Sequence, residues 1–133
     1  MSSVFTKIIE RKIPAYIVAE DEFHIAFLDI MPLSIGHTLV VPKDEVDYIF
    51  DLDEQTLAGL HTFSRKVAHA IKKATQCKKV GVAVLGMEVP HAHIHLVPMN
   101  AMSDMNFANP KLKLSKEELT DVADKIRSWL LPK

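Results

Sequence analysis

Between residues 91 and 97 the chain reads His91-Ala92-His93-Ile94-His95-Leu96-Val97, with histidines at alternate positions and apolar residues between them. Successive side chains of an extended chain point to opposite faces. The spacing therefore predicts a strand with His91, His93 and His95 on one face and Ala92, Ile94 and Leu96 on the other. One face packs. The other carries rings whose donors and acceptors all need partners when buried, so it is a chemical face.

The rest of the chain is read around this strand. Residues 4–10 suggest a short helix ending before Pro14. Tyr16–Glu20 and Phe23–Leu28 read as a hairpin across Asp21-Glu22, and a Pro/Gly loop at residues 31–36 leads to a third strand, Thr38–Val41, closed by Pro42. Leu57, Leu60, Phe63, Val67, Ile71 and Ala74 recur at helical spacing, which predicts one long helix from Asp53 to about Thr75. Val80–Leu85 and His91–Val97 read as central strands, the second ended by Pro98. Ser115 and Glu118 form a capping-box pattern with Leu114 and Leu119 placed as a staple, so Lys116–Leu130 is expected to be helical. Five strands and two or three helices make an α+β domain.

At 133 residues the chain fits one domain, 1–133, without internal repeats. Its 16 basic and 17 acidic residues leave a net charge of −1, which argues against a nucleic-acid or membrane-surface partner. Any phosphate must be held locally. No secretory leader pattern and no apolar run of membrane-spanning length occur, and the single Cys77 cannot form an intramolecular disulfide. A cytoplasmic protein is expected.

The histidine face admits several chemistries. The three rings could be merely satisfied or exposed. They could bind zinc with help from His37, but the outer two are separated by about 13 Å of extended strand, so a single straight strand converges poorly on one ion. Attack on phosphorus suits the spacing better, with a central imidazole as nucleophile and its neighbours orienting it and holding non-bridging oxygens. That reading makes His93 the nucleophile. Its ring must be neutral, with the proton held on the other nitrogen by a group such as a backbone carbonyl.

The run His91–Val97 resembles the signature of the histidine-triad (HIT) family, His-φ-His-φ-His-φ-φ with φ apolar. The resemblance extends through Phe5-Thr6-Lys7-Ile8-Ile9, Ile13-Pro14, Ala26-Phe27-Leu28-Asp29-Ile30 and Gly36-His37-Thr38-Leu39-Val40-Val41-Pro42-Lys43. It covers roughly residues 4–100 and leaves 101–133 as a C-terminal tail and helix. It implies a five-stranded antiparallel sheet, commonly paired with a second copy into one larger sheet, and hence a homodimer.

The resemblance also implies an activity: hydrolysis of nucleotide phosphoramidates or dinucleoside polyphosphates, or nucleotidyl transfer, through a covalent nucleotidyl-histidine on His93. By the same resemblance His95 contacts the phosphate, His91 steadies the nucleophile through its backbone carbonyl, and His37 completes the histidine network. Asp29 matches a position that accepts hydrogen bonds from ribose hydroxyls. Ile8, Phe27 and Ile30 match an apolar slot for the base. The implied substrate is a purine nucleotide, an adenosine or guanosine phosphate derivative, and no cofactor or metal is implied. A nucleotide-binding module with little turnover and a metal-dependent protein using the histidine face are the alternatives.

One segment departs from the family pattern. Where many members carry Gly-Gln-Ser/Thr, this chain has Gly86-Met87-Glu88, and the preceding strand lacks the family's asparagine. Gly86 keeps the turn residue, Met87 cannot hydrogen-bond as glutamine does, and Glu88 adds a carboxylate where phosphate is expected. Glu88 would then favour a leaving group bearing a cationic amine over a polyphosphate. His24, His61, His69, Cys77 and the lysines near residues 72–79 are assigned no chemistry. Met99, Met102 and Met105 read as packing for the tail or a dimer.

Overall fold

A computed structural model describes residues 2–130, so residue 1 and residues 131–133 of the expected domain lie outside the described residues. In chain order the elements are helix α1 (Val4–Ile9), strands β1 (Ile17–Glu20), β2 (His24–Leu28) and β3 (Thr38–Pro42), helix α2 (Glu54–Thr75), strands β4 (Lys79–Ala83) and β5 (Ile94–Met99), and helix α3 (Lys116–Ser128). Short 3-10 turns at Ile49–Asp51 and Met102–Met105 complete them. The strands form one antiparallel sheet in the order β1-β2-β3-β5-β4, the α+β architecture expected from the sequence.

Both faces of this sheet are covered, which explains why β2 and β3 are buried at every position. Ala26, Leu28, Val40, Ile94 and Leu96 face the larger core, shared with Leu60, Phe63, Val67 and Ile71 of α2 and Leu119, Ala123 and Ile126 of α3. Ile25, Phe27, Leu39 and Val41 face a smaller cluster with Phe5 and Ile8 of α1. Ile94 is fully buried, so truncating it to alanine should cost about 2–5 kcal/mol.

Local chemistry sets the helix ends. Ser3, Asp53 and Ser115 accept from the backbone N–H of Thr6, Thr56 and Glu118, and Ser115 with Glu118 completes the capping box read from the sequence. Helix α2 stops at Gln76, in left-handed conformation, whose N–H returns to the Lys72 carbonyl. Helix α3 ends at Ser128 rather than Leu130.

The strands differ from expectation in three respects. First, β4 lies at the sheet edge rather than in its centre, and it covers Lys79–Ala83 rather than Val80–Leu85. Second, regular β5 begins at Ile94. His91 and Ala92 direct their N–H groups to the carbonyls of Val89 and Val46, outside the β3–β5 ladder. Third, Pro98 sits inside β5 instead of ending it, whereas Pro42 is the last residue of β3, as expected. The β3–β5 ladder spans only Thr38–Val40 against Ile94–Leu96, so each proline lies where its strand has a partner on one side alone, and a missing N–H is tolerated there.

Candidate active site

The alternation predicted for the histidine run survives its irregular start. Ala92, Ile94 and Leu96 enter the larger core, while the rings of His91 and His93 meet Phe5 of α1 at 5.8 and 4.9 Å and those of His93 and His95 meet at 4.9 Å.

His91 is fully buried and anchored at both nitrogens. Its Nε2 lies 2.8 Å from the Pro42 carbonyl oxygen, which can only accept, so the ring proton sits on Nε2 and Nδ1 accepts from the Ser3 hydroxyl at 2.7 Å. Burial lowers the His91 pKa and keeps the ring neutral. Ser3 is held in turn: its backbone N–H and the Thr6 hydroxyl each donate to Glu45 Oε1 at 2.6 Å. These bonds, the one from the Ser3 backbone first, draw the Glu45 carboxyl down to about 2.

The fixed His91 presents its carbonyl oxygen to His93 Nδ1 at 2.8 Å. This bond requires a proton on His93 Nδ1, so in the neutral ring the lone pair lies on Nε2. His95 and His37 form a second ordered pair. The Leu33 N–H donates to His37 Nδ1 at 3.0 Å, so His37 carries its proton on Nε2 and donates it to His95 Nδ1, also at 3.0 Å. The His95 proton is thereby placed on Nε2. Desolvation first and the neighbouring histidine charge second push His37 down to about 3 and His95 to about 4, so both rings are neutral near pH 7. Gly36 makes room for this strand start: its φ is +99°, and an added Cβ would lie 2.7 Å from Thr75 Cγ2.

These rings open into a cavity of about 590 Å³, within the range of small-molecule sites. His93, His95, His37, Asp29, Glu88 and Lys111 supply its titratable groups, and Phe5, Ile30, Leu39 and Leu85 are among its apolar lining. Asp29 Oδ1 accepts from the Met31 N–H at 2.9 Å, and burial raises the Asp29 pKa. Gly86, at φ +70°, turns the chain along the cavity wall. A second cavity of about 480 Å³ reaches His93 from the side of Tyr48, Phe50, Leu85 and Met87.

The sequence profile described as HIT domain matches residues 10–102. The chain belongs to the HIT domain family. An adenosine 5'-monophosphoramidase of Schizosaccharomyces pombe is 31% identical over 130 residues, covering 96% of this chain and 98% of that protein. A HIT-like protein of Bartonella henselae, described as involved in cell-cycle regulation, superposes with a TM-score of 0.82 at 34% identity and 96% coverage of each chain. A zinc-bound histidine-triad protein of Mycobacterium smegmatis has a TM-score of 0.80 at 27% identity, covering 98% of this chain and 94% of its own.

Within this HIT domain the residues singled out from the sequence separate into two groups. His93, His95, His37, Asp29, Ile30, Gly86 and Glu88 line the larger cavity, and His91 stands behind His93 as its support. Ile8 and Phe27 do not reach the cavity wall. They pack into the smaller apolar cluster, and Phe5 and Leu39 line the cavity instead. Four further residues were not singled out: Ser3 and Glu45 behind His91, and Phe107 and Lys111 from the tail. Ser3-x-x-Thr6 has an N-cap spacing that marks the helix start, but nothing in a single sequence pairs Ser3 with a histidine 88 positions away.

Asp29, His37 and His95 offer ligand atoms within 4.8 Å of one another, the one such cluster among the described residues. The hydrogen bonds oppose a metal there. The Leu33 N–H occupies His37 Nδ1, and the His37 Nε2 proton occupies the space between the rings, so a cation would need that proton removed and the His95 bond broken. No helix among the described residues is long and apolar enough to cross a membrane.

Proposed function

We propose that this HIT-family chain is a nucleotide hydrolase or nucleotidyl transferase that forms a covalent intermediate on His93 Nε2. The observation carrying this reading is the 2.8 Å bond from His93 Nδ1 to the His91 carbonyl, which in the neutral ring puts the lone pair on Nε2, in a residue that lines the substrate cavity. The adenosine 5'-monophosphoramidase relative supports a nucleoside phosphoramidate as substrate. A dinucleoside polyphosphate is the other substrate class.

In the first step Nε2 attacks phosphorus, the Nε2–P bond forms, the P–N bond breaks, and the leaving nitrogen takes up one proton. That proton comes from solvent water, while His95, held by the bond from His37 Nε2–H to its Nδ1, keeps its Nε2–H for a phosphate oxygen. In the second step water attacks, a P–O bond forms, the Nε2–P bond breaks, and one proton is released. Asp29 accepts from the ribose hydroxyls, and Ile30 with Phe5 and Leu39 flanks a purine base.

The functional unit is a homodimer in the cytoplasm. The dimer reading draws support from the edge position of β4, where Val82 is exposed, and from exposed Leu85 and Met87 just after it, which line one cavity with exposed Tyr48 and Phe50.

Intact-mass measurement after mixing with an adenosine phosphoramidate tests the reading. One nucleotidyl group added to the wild type and absent from His93→Ala is expected, with turnover in the variant down about a thousandfold or more. Binding without adduct or product would make the chain a binding module. Activity lost to a chelator would make it metal-dependent.

A further inference from the structure

Lys111 lies beyond residue 102, where the family match ends, yet it lines the same cavity as His93 and His95. The charges on that wall are unbalanced for an anionic ligand. Asp29 and Glu88 are acidic, His37 and His95 are held neutral by burial, and Lys111 is the one lysine or arginine among the lining residues. The residues that precede the histidine run offer no replacement, since Met87 is apolar and Glu88 would repel phosphate.

The tail is built so that this ammonium reaches the cavity. The Leu112 N–H donates to the Pro32 carbonyl at 2.9 Å, tying the segment to the loop between β2 and β3. The Phe107 ring sits edge-on to His95 at 4.9 Å and to His37 at 6.2 Å. Lys111 Nζ donates to the carbonyl oxygens of Phe107 and Asn109, so two of its three N–H groups hold the loop and one is left for a ligand. The Lys111 charge is felt within the site: it partly opposes the rise that burial gives Asp29, and it adds to the lowering that burial and His95 give His37.

We propose that Lys111 is the cation that binds the substrate phosphate in this cavity, in place of the polar side chains absent before the histidine run. The assignment rests on the nucleotide reading above. It makes the C-terminal segment part of the substrate site and favours ligands with an anionic phosphate over those without one.

Calorimetric titration of the full chain with adenosine monophosphate and with adenosine tests it in wild type, Lys111→Met and Lys111→Arg. Lys111→Met is expected to weaken the monophosphate about tenfold or more while changing adenosine by less than about twofold, because only the former loses a charge-assisted contact. Lys111→Arg is expected to keep most of the affinity. Equal weakening of both ligands would mean that Lys111 only holds the loop, and unchanged monophosphate affinity would mean that it does not meet the phosphate; either overturns the assignment. A wild type that binds neither ligand overturns the nucleotide reading itself, and this assignment with it.

Discussion

The hydroxyl of Ser3 lies 2.7 Å from Nδ1 of His91, joining the cap of the first helix to the residue whose carbonyl orients His93. One side chain thus caps α1 and donates to the free nitrogen of a ring 88 positions away, whose tautomer the Pro42 carbonyl sets. The helix start, the Glu45 carboxylate and the nucleophile belong to one chain of hydrogen bonds.

Ser3→Ala should therefore affect stability and turnover together. It leaves His91 Nδ1 buried without its donor and removes the cap, a loss of about 1–3 kcal/mol. Turnover should fall several-fold with little change in KM, because the loss lies behind the nucleophile and not in the ligand cavity. Urea unfolding and steady-state kinetics check both; a large rise in KM with kcat unchanged would contradict the positioning role.

Acid should destabilise the protein through His37 and His95. Both have folded-state values, about 3 and about 4, below the ordinary value near 6.5, so between these limits the unfolded chain binds more protons than the folded one. Their contribution is fully present above about pH 6.5 and is lost progressively as pH falls toward those folded values. Asp29 works in the opposite direction, because its raised pKa favours proton uptake by the folded state. Unfolding free energy measured at pH 7 and pH 5 should drop by about a kcal/mol or more in the wild type, and by less in His37→Gln.

Glu88→Gln should alter leaving-group preference rather than abolish activity. Glu88 lines the cavity and its charge reaches Asp29. Removing it should raise kcat/KM for a polyphosphate leaving group and lower it for an amine, by about tenfold in the ratio. Equal effects on the two substrates would assign Glu88 no part in selectivity.

Val82→Glu places a charge on an exposed residue of edge strand β4 without touching the core. If two copies pair through this edge, the variant should sediment as a monomer at concentrations where the wild type is a dimer, with its circular dichroism unchanged. A wild type that sediments as a monomer at every concentration would remove the dimer from the reading.

Much of the architecture follows from the sequence alone, because its signals are short-range. The alternation at His91, His93 and His95 sorts the rings from Ala92, Ile94 and Leu96, the three-to-four spacing from Leu57 to Ala74 makes α2, and Ser115 with Glu118 starts α3. What only the tertiary structure decided depends on groups distant in the chain. Strand β4 became an edge through the order of pairing, and β5 began late because His91 and Ala92 found loop carbonyls. The proton positions on His37 and His95 depend on the Leu33 N–H. Lys111 entered the cavity because Leu112 is bonded to Pro32, across 80 residues that carry no periodic sign of the contact. Periodicity encodes which face a side chain takes; it does not encode which distant donor or charge will meet it there.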